Sequence, residues 1–126
     1  MGAALALSAV TSAFLFLPLV SAEDLHETPI AALNYDAGET VGWPEFAGTV
    51  AGVYAALPTH ELPHTVFLGG NYGEAGAIDL YSSHVVLPPA YSGHNSYASW
   101  GPPPESARTV IAVGFDESVL RRWFGR

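Results

Sequence analysis

The pattern of hydrophobic and polar positions separates an apolar start from a mixed remainder. Residues 2–20 contain no charged side chain, and the acidic pair Glu23 and Asp24 follows directly. About 20 apolar residues are the length that crosses a bilayer. We therefore predict a transmembrane helix or signal-like segment over residues 1–22. A cleaved signal peptide is a second interpretation, although no basic residue precedes the apolar run, and a helix buried in the domain is a third.

The next segment, residues 23–42, reads as a linker because Pro29 and Gly38 interrupt it. A helix is predicted from Trp43-Pro44 onward, since proline favours the first helical position and apolar residues then recur at helical spacing up to Leu57. Pro58 ends this pattern. Residues 43–126 are expected to form one small domain.

Three short apolar runs in this domain predict strands, at residues 65–68, 85–87 and 109–113. A helix is predicted between the first two strands, over residues 72–81, and a long loop over residues 90–107. A last helix, capped by Asp116 and packed through Val119, Leu120, Trp123 and Phe124, follows the third strand. Strands that alternate with helices predict an α/β fold, a small three-layer-like domain with a short, mostly parallel sheet.

Charge and composition exclude several classes of partner. The 126 residues contain 12 acidic and 4 basic side chains, a formal net charge of −8, with no lysine. Nucleic-acid binding needs clustered cations, so we exclude it. The chain has no cysteine, so a disulfide framework and a cysteine zinc site are also excluded. Since no cation precedes Arg108, residues 23–126 are expected on the extracytoplasmic side.

A strand, two glycines and a helix follow one another at residues 65–81, an order typical of phosphate-binding loops. The spacing fits neither standard nucleotide fingerprint, and Glu74 falls in the first helical turn, where a phosphate would lie. We therefore predict that Glu74 complements the helix dipole, and that the glycines serve tight turning.

Residues 71–103 gather glycines, prolines, aromatic rings, amides and a histidine, a composition that often presents chemistry to a ligand. Tyr91, Tyr97 and Trp100 either stack on a sugar ring or form a small core that holds the loop closed. His94 either contacts a ligand or organises the loop. No Gly-x-Ser-x-Gly elbow is present, and no metal or cofactor is predicted. A metal hydrolase that uses His94 with Glu74 or Asp79 is a minor alternative.

Several motifs occur in order along the chain: VGWPEF at 41–46, NYGEAGA at 71–77, LPPAYSGHNSY at 87–97 and WGPP at 100–103. Together they resemble the C-terminal extracytoplasmic region of bacterial glycosyltransferase family 39 membrane proteins, which are similar to dolichyl-phosphate-mannose protein mannosyltransferases and aminoarabinose transferases. The resemblance covers essentially the whole chain, from the last membrane helix to the final predicted helix.

The resemblance implies that the chain is a C-terminal fragment of a polytopic enzyme that transfers a sugar from a polyprenyl-phosphate carrier. The catalytic acidic residue of such enzymes lies upstream of the matched region, so no catalytic residue is carried over and the fragment is expected to be a non-catalytic accessory domain. Its expected partners are the lipid bilayer, the upstream membrane bundle, and a glycan or lipid-linked sugar. The residues expected to shape its functional face are Asn71, Tyr72, Glu74, Tyr91, His94, Asn95, Tyr97 and Trp100.

A second hypothesis, of a different class, is a free-standing anchored or secreted glycan-binding module that uses Tyr91, Tyr97 and Trp100. An upstream reading frame that encodes several membrane helices would favour the fragment, whereas an isolated gene would favour the module.

Overall fold

The computed structural model describes residues 2–17, 19–21, 24–34 and 41–125. The chain divides into two compact units, Met1–Trp43 and Pro44–Arg126.

The first unit is helical. Helix α1 (Gly2–Phe16) carries no charge and buries none of its residues. A 3-10 turn (Leu25–Glu27) leads to the short helix α2 (Pro29–Leu33), whose first turn is capped because Thr28 Oγ1 accepts a hydrogen bond from the Ile30 N–H at 3.3 Å. Asn34 Nδ2 donates to the Leu15 carbonyl at 3.0 Å, which satisfies one of the carbonyls left unpaired at the end of α1.

Two predictions concern this unit. The predicted transmembrane helix or signal-like segment over residues 1–22 receives no support, because α1 ends at Phe16 and no helix in the described ranges has both the length and the apolar character to cross a membrane. The predicted linker over residues 23–42 contains the 3-10 turn and α2, where Thr28 and Pro29 start a helix. Glu23 and residues 35–40 of that linker lie outside the described residues.

The second unit has a three-stranded parallel sheet in the order β2-β1-β3, which confirms an α/β fold with a short parallel sheet. The strands are β1 (Thr65–Gly69), β2 (Ala90–Ser92) and β3 (Thr109–Val113). The predicted first and third strands are confirmed. In the centre, Phe67 of β1 pairs with Ala90 of β2 and with Ile111 of β3.

The predicted second strand, at residues 85–87, is wrong. Val86 is 80% exposed, and the strand forms five residues later, within the predicted long loop. The Phe67 N–H donates to the Pro89 carbonyl at 2.9 Å. Prolines have no N–H to donate, so Pro89 contributes only its carbonyl and β2 begins at Ala90. Pro88 is fully buried.

Helices α3 (Trp43–Ala55) and α4 (Tyr72–Tyr81) pack on one hydrophobic core. The buried centre consists of Val50, Phe67 and Ile78, and the Phe46 ring meets the Phe67 ring edge to face at 6.0 Å. Both helices were predicted, α4 with the bounds found. Their apolar stripes therefore cover the central strand.

The last helix, α5 (Glu117–Phe124), starts after Asp116 as predicted, but Asp116 makes no side-chain capping bond. Its backbone carbonyl instead accepts from the Val119 and Leu120 N–H groups at 2.9 and 3.2 Å. A 3-10 helix (Asn95–Trp100) occupies part of the predicted loop over residues 90–107 and ends at Gly101, whose φ is +100°.

Candidate functional site

A groove of about 500 Å³ lies where the parallel strands end. Its lining comes from the segments that follow all three strands and from α5: Leu68, Gly70, Asn71, Gly93, His94, Phe115 and Trp123. The chain leaves β1 towards β2 and then returns past β1 to β3 on the other side. Parallel α/β sheets bind ligands outside the carboxyl ends of their strands, at such reversals. This groove is therefore the first candidate for a binding site.

Two glycines bring the turns after β1 and β3 together beside the groove. The Gly70 N–H donates to the Val113 carbonyl at 2.8 Å, so the turn after β1 is joined to the end of β3. A Cβ atom at Gly70 would collide with the Gly114 carbonyl. Gly114 itself has φ +77°, a conformation that favours glycine. These two glycines allow the two turns to approach closely.

Aromatic rings form one wall of the groove. The Phe115 and Trp123 rings meet edge to face with their centroids 5.6 Å apart, and Trp123 is 58% exposed. The prediction that Trp123 and Phe124 pack on the core side of the last helix is wrong, since more than half of each side chain is exposed, and Phe115 was not among the candidates. Phe115 follows the carboxyl end of β3, so the rule that ligands bind beyond strand ends would have identified it from the sequence.

Polar groups also line the groove. The His94 ring lies 5.4 Å from the Tyr72 ring, and the His94 N–H donates to Oγ of the buried Ser92 at 3.2 Å. Asn71 lines the groove from the end of β1. The sheet thus brings together three predicted site residues, Asn71, Tyr72 and His94, from two separate segments.

Glu74 has a different role. The Glu74 N–H donates to Asn71 Oδ1 at 2.9 Å, and Glu74 Oε2 accepts from the Asn71 N–H at 3.2 Å, which is a capping box. A Cβ at Gly114 would lie 2.6 Å from Glu74 Oε1, so the carboxylate lies against that glycine. The prediction that Glu74 complements the helix dipole is confirmed, and the place that a phosphate would take is filled.

The remaining predicted residues lie away from the groove lining. Tyr97 Oη donates to Asp79 Oδ2 at 2.7 Å, and its ring packs 4.4 Å from the Trp100 ring. Burial first, and then the hydrogen bond to the Asp79 carboxylate and its negative charge, raise the pKa of Tyr97 to about 12. Tyr91 is half-buried on β2, opposite Leu68. Asn95 starts the 3-10 helix with φ +52°.

The metal-hydrolase alternative receives no support from the part of the chain that the structure describes. Within the described ranges, no three His, Asp or Glu side chains are grouped closely enough to hold a metal. Glu74 is engaged in the capping box and Asp79 in the bond to Tyr97, so the structure does not join either carboxylate to His94 in the way that the metal-hydrolase alternative needs. What the groove offers is an aromatic surface, an amide and an imidazole.

Comparison of the chain with family models, with curated proteins and with solved structures gives no match. Its function is therefore inferred from the groove and from the sequence motifs.

Proposed function

We propose that the chain is a non-catalytic sugar-recognition domain, the C-terminal extracytoplasmic part of a polytopic glycosyltransferase that uses polyprenyl-phosphate sugars. One observation carries the sugar-binding part of this proposal: the groove at the strand ends is lined by the paired Phe115 and Trp123 rings together with Asn71 and His94. The sequence motifs at residues 41–46, 71–77, 87–97 and 100–103 support the parent family.

Sugars match this lining chemically. A pyranose ring has an apolar face of C–H groups and a rim of hydroxyls, so it suits a site with one aromatic wall and a few placed polar groups. Asn71 supplies an amide and His94 an imidazole, each able to donate or accept a hydrogen bond. The volume of about 500 Å³ lies within the usual range for small-molecule sites.

The charge distribution supports a role for this domain that does not include binding the phosphate. No lysine or arginine is among the groove-lining residues, and the Glu74 carboxylate occupies the N-terminus of α4. Transfer from a lipid phosphate needs positive charge or a metal at the leaving group. We therefore assign the chemistry to the upstream membrane bundle, and sugar recognition to this domain.

Membrane association is part of the proposal. Helix α1 is uncharged, and its large side chains are exposed, with Leu7 and Val10 near 70%. An apolar surface of this kind is stabilised by lipid or by other membrane helices. We propose that residues 23–126 lie on the extracytoplasmic side, beside the bundle that α1 joins.

Sugar binding is tested with the full-length chain in mild detergent. Neutral mono- and oligosaccharides are titrated while tryptophan fluorescence is recorded, and saturable binding is expected. Trp123→Ala should abolish the binding, whereas Trp43→Phe, which removes an indole outside the groove lining, should preserve it. Absence of saturable binding overturns the sugar-recognition role, and turnover of a lipid-linked sugar by the isolated chain overturns the non-catalytic one.

A free-standing glycan-binding module is the second candidate. It is favoured by the fact that the groove and its hydrophobic core both lie within the second compact unit. The DNA upstream of the Met1 codon distinguishes the two: continued coding sequence for several membrane helices supports the glycosyltransferase fragment, and its absence supports the module.

A further inference from the structure

Two aromatic pairs, Tyr72–His94 and Tyr97–Trp100, lie along one face of helix α4. Tyr72 and Asp79 are seven residues apart, which is two helical turns, so they lie on the same face about 10 Å apart along the axis. The Tyr72 ring contacts His94, at the edge of the groove. Asp79 holds Tyr97, and Tyr97 packs against Trp100. The second pair is therefore placed beyond the groove, along the same helix.

The second pair is held in place although its Trp100 is exposed. Tyr97 and Trp100 are three residues apart in a 3-10 helix, where side chains at that spacing are superimposed along the axis. The Tyr97 hydroxyl is fixed by its 2.7 Å bond to Asp79, and its ring lies 4.4 Å from the Trp100 ring. Trp100 nevertheless leaves 68% of its surface in solvent. A tryptophan that is fixed and exposed offers a surface for stacking without a further ordering cost.

We propose that these two pairs form a continuous rim for an extended, uncharged glycan of several sugar units, one ring lying in the groove beside Tyr72 and His94 and a later ring on Trp100. This inference rests on the proposed sugar-recognition function and adds the class of ligand. A single sugar would use only the groove, and the Tyr97–Trp100 pair would have no contact with it.

The rim favours an uncharged chain. Glu74 and Asp79 give α4 two carboxylates, and the whole chain has a net charge of −8. Acidic sugars and phosphorylated sugars would be repelled along this path. Hydroxyl groups suit it, because a carboxylate accepts more hydrogen bonds than the one that Asp79 receives from Tyr97.

The experiment measures affinity against ligand length. The full-length chain in detergent is titrated with neutral linear glycans of one to six units, in three series: β-1,4-linked glucose, β-1,4-linked N-acetylglucosamine and α-linked mannose. In the series that binds, the dissociation constant should fall roughly 3- to 10-fold once the chain is long enough to reach Trp100, the gain that one aromatic contact provides.

Three variants separate the roles. Trp100→Ala should lose the gain with length and keep the affinity for a single sugar. Leu80→Ala is the matched control, because it removes a side chain of similar exposure, on α4. It should keep both the affinity for a single sugar and the gain with length. Trp123→Ala should lose binding at every length, as the groove requires.

Each outcome is decisive. If the wild-type affinity is independent of length, or if Trp100→Ala keeps the gain, the extended rim is overturned while the groove proposal stands. If Trp100→Ala weakens one-unit and four-unit ligands equally, Trp100 only holds the loop, and the inference again fails. If no glycan of any length binds, the proposed function fails together with the inference.

Discussion

At the scale of single residues, the contact between Gly70 and Gly114 shapes the site, and Gly48 provides a comparison. Gly70 lies against the Gly114 carbonyl, whereas Gly48, in the middle of α3, has no atom within 4 Å of the position where its Cβ would lie. Gly70→Ala should therefore lower the free energy of unfolding by about 1–3 kcal/mol, the usual cost of overpacking. Urea denaturation measures this change.

The matched control for that substitution is Gly48→Ala. It should raise the free energy of unfolding by about 0.5–1 kcal/mol, because alanine loses less conformational freedom than glycine in a helix and the space is open. If Gly70→Ala proves as stable as the wild type, the close approach of the two turns is wrong.

Tyr97 should make stability depend on alkaline pH. Its pKa is raised from 10.0 to about 12, chiefly by burial and then by the Asp79 carboxylate, so the folded state holds the phenolic proton more tightly than the unfolded chain does. This contribution is complete below pH 10 and is lost as the pH rises from 10 to 12. Wild type should lose more stability over that interval than Tyr97→Phe.

Absorbance at 295 nm follows the same proton directly. One tyrosine should titrate late, and it should be missing in Tyr97→Phe. In Asp79→Asn the titration should move to lower pH, because the negative charge is removed. A wild-type curve that Tyr97→Phe leaves unchanged above pH 11 would contradict the bond between Tyr97 and Asp79.

At the scale of elements, the capping box at the start of α4 is the clearest test. Asn71→Ala removes the oxygen that accepts the Glu74 N–H, so it should cost about 1 kcal/mol of stability. Asn71→Ser retains an acceptor and should cost much less. Thermal unfolding of the three proteins compares them, and equal midpoints would show that the cap contributes nothing.

Elements whose signal is local could be predicted from the sequence. Helix α4 has its own capping pair, and β3 is a run of five apolar or β-branched residues that ends at a glycine. Strand β2 was misplaced because its position is set by β1, whose Phe67 N–H selects the Pro89 carbonyl as its partner. A three-residue strand contains too little pattern of its own to reveal this long-range choice.

At the scale of the whole molecule, the exposed apolar surface of α1 predicts that the protein associates with membranes. The full chain should pellet with membranes and be released by detergent. Replacing Leu7 and Val10 together by arginine should shift it toward the soluble fraction, because charge on an apolar helix opposes insertion. Val86→Arg adds a charge to an exposed position of the second unit and should change nothing. A wild-type chain that stays in the soluble fraction would contradict membrane association.

The candidate site could be predicted only in part, because its residues come from distant segments. The loop composition identified Asn71, Tyr72 and His94, which the sheet brings to one edge. Trp123 falls in the apolar pattern of the last helix and therefore reads as a core position, and Phe115 is marked only by its place after the carboxyl end of β3. The parallel order of the strands unites the two groups, and that order depends on pairing across the chain.

The close approach of Gly70 and Gly114 has a consequence for how this protein can diversify. A side chain at Gly70 would collide with the Gly114 carbonyl, whereas Phe115, Trp123 and His94 line the same groove with side chains that other residues could replace. Variants with altered selectivity should therefore keep the glycine contact and differ at these lining positions. An engineer who wishes to change what this cleft admits should randomise its borders and leave the two glycines untouched.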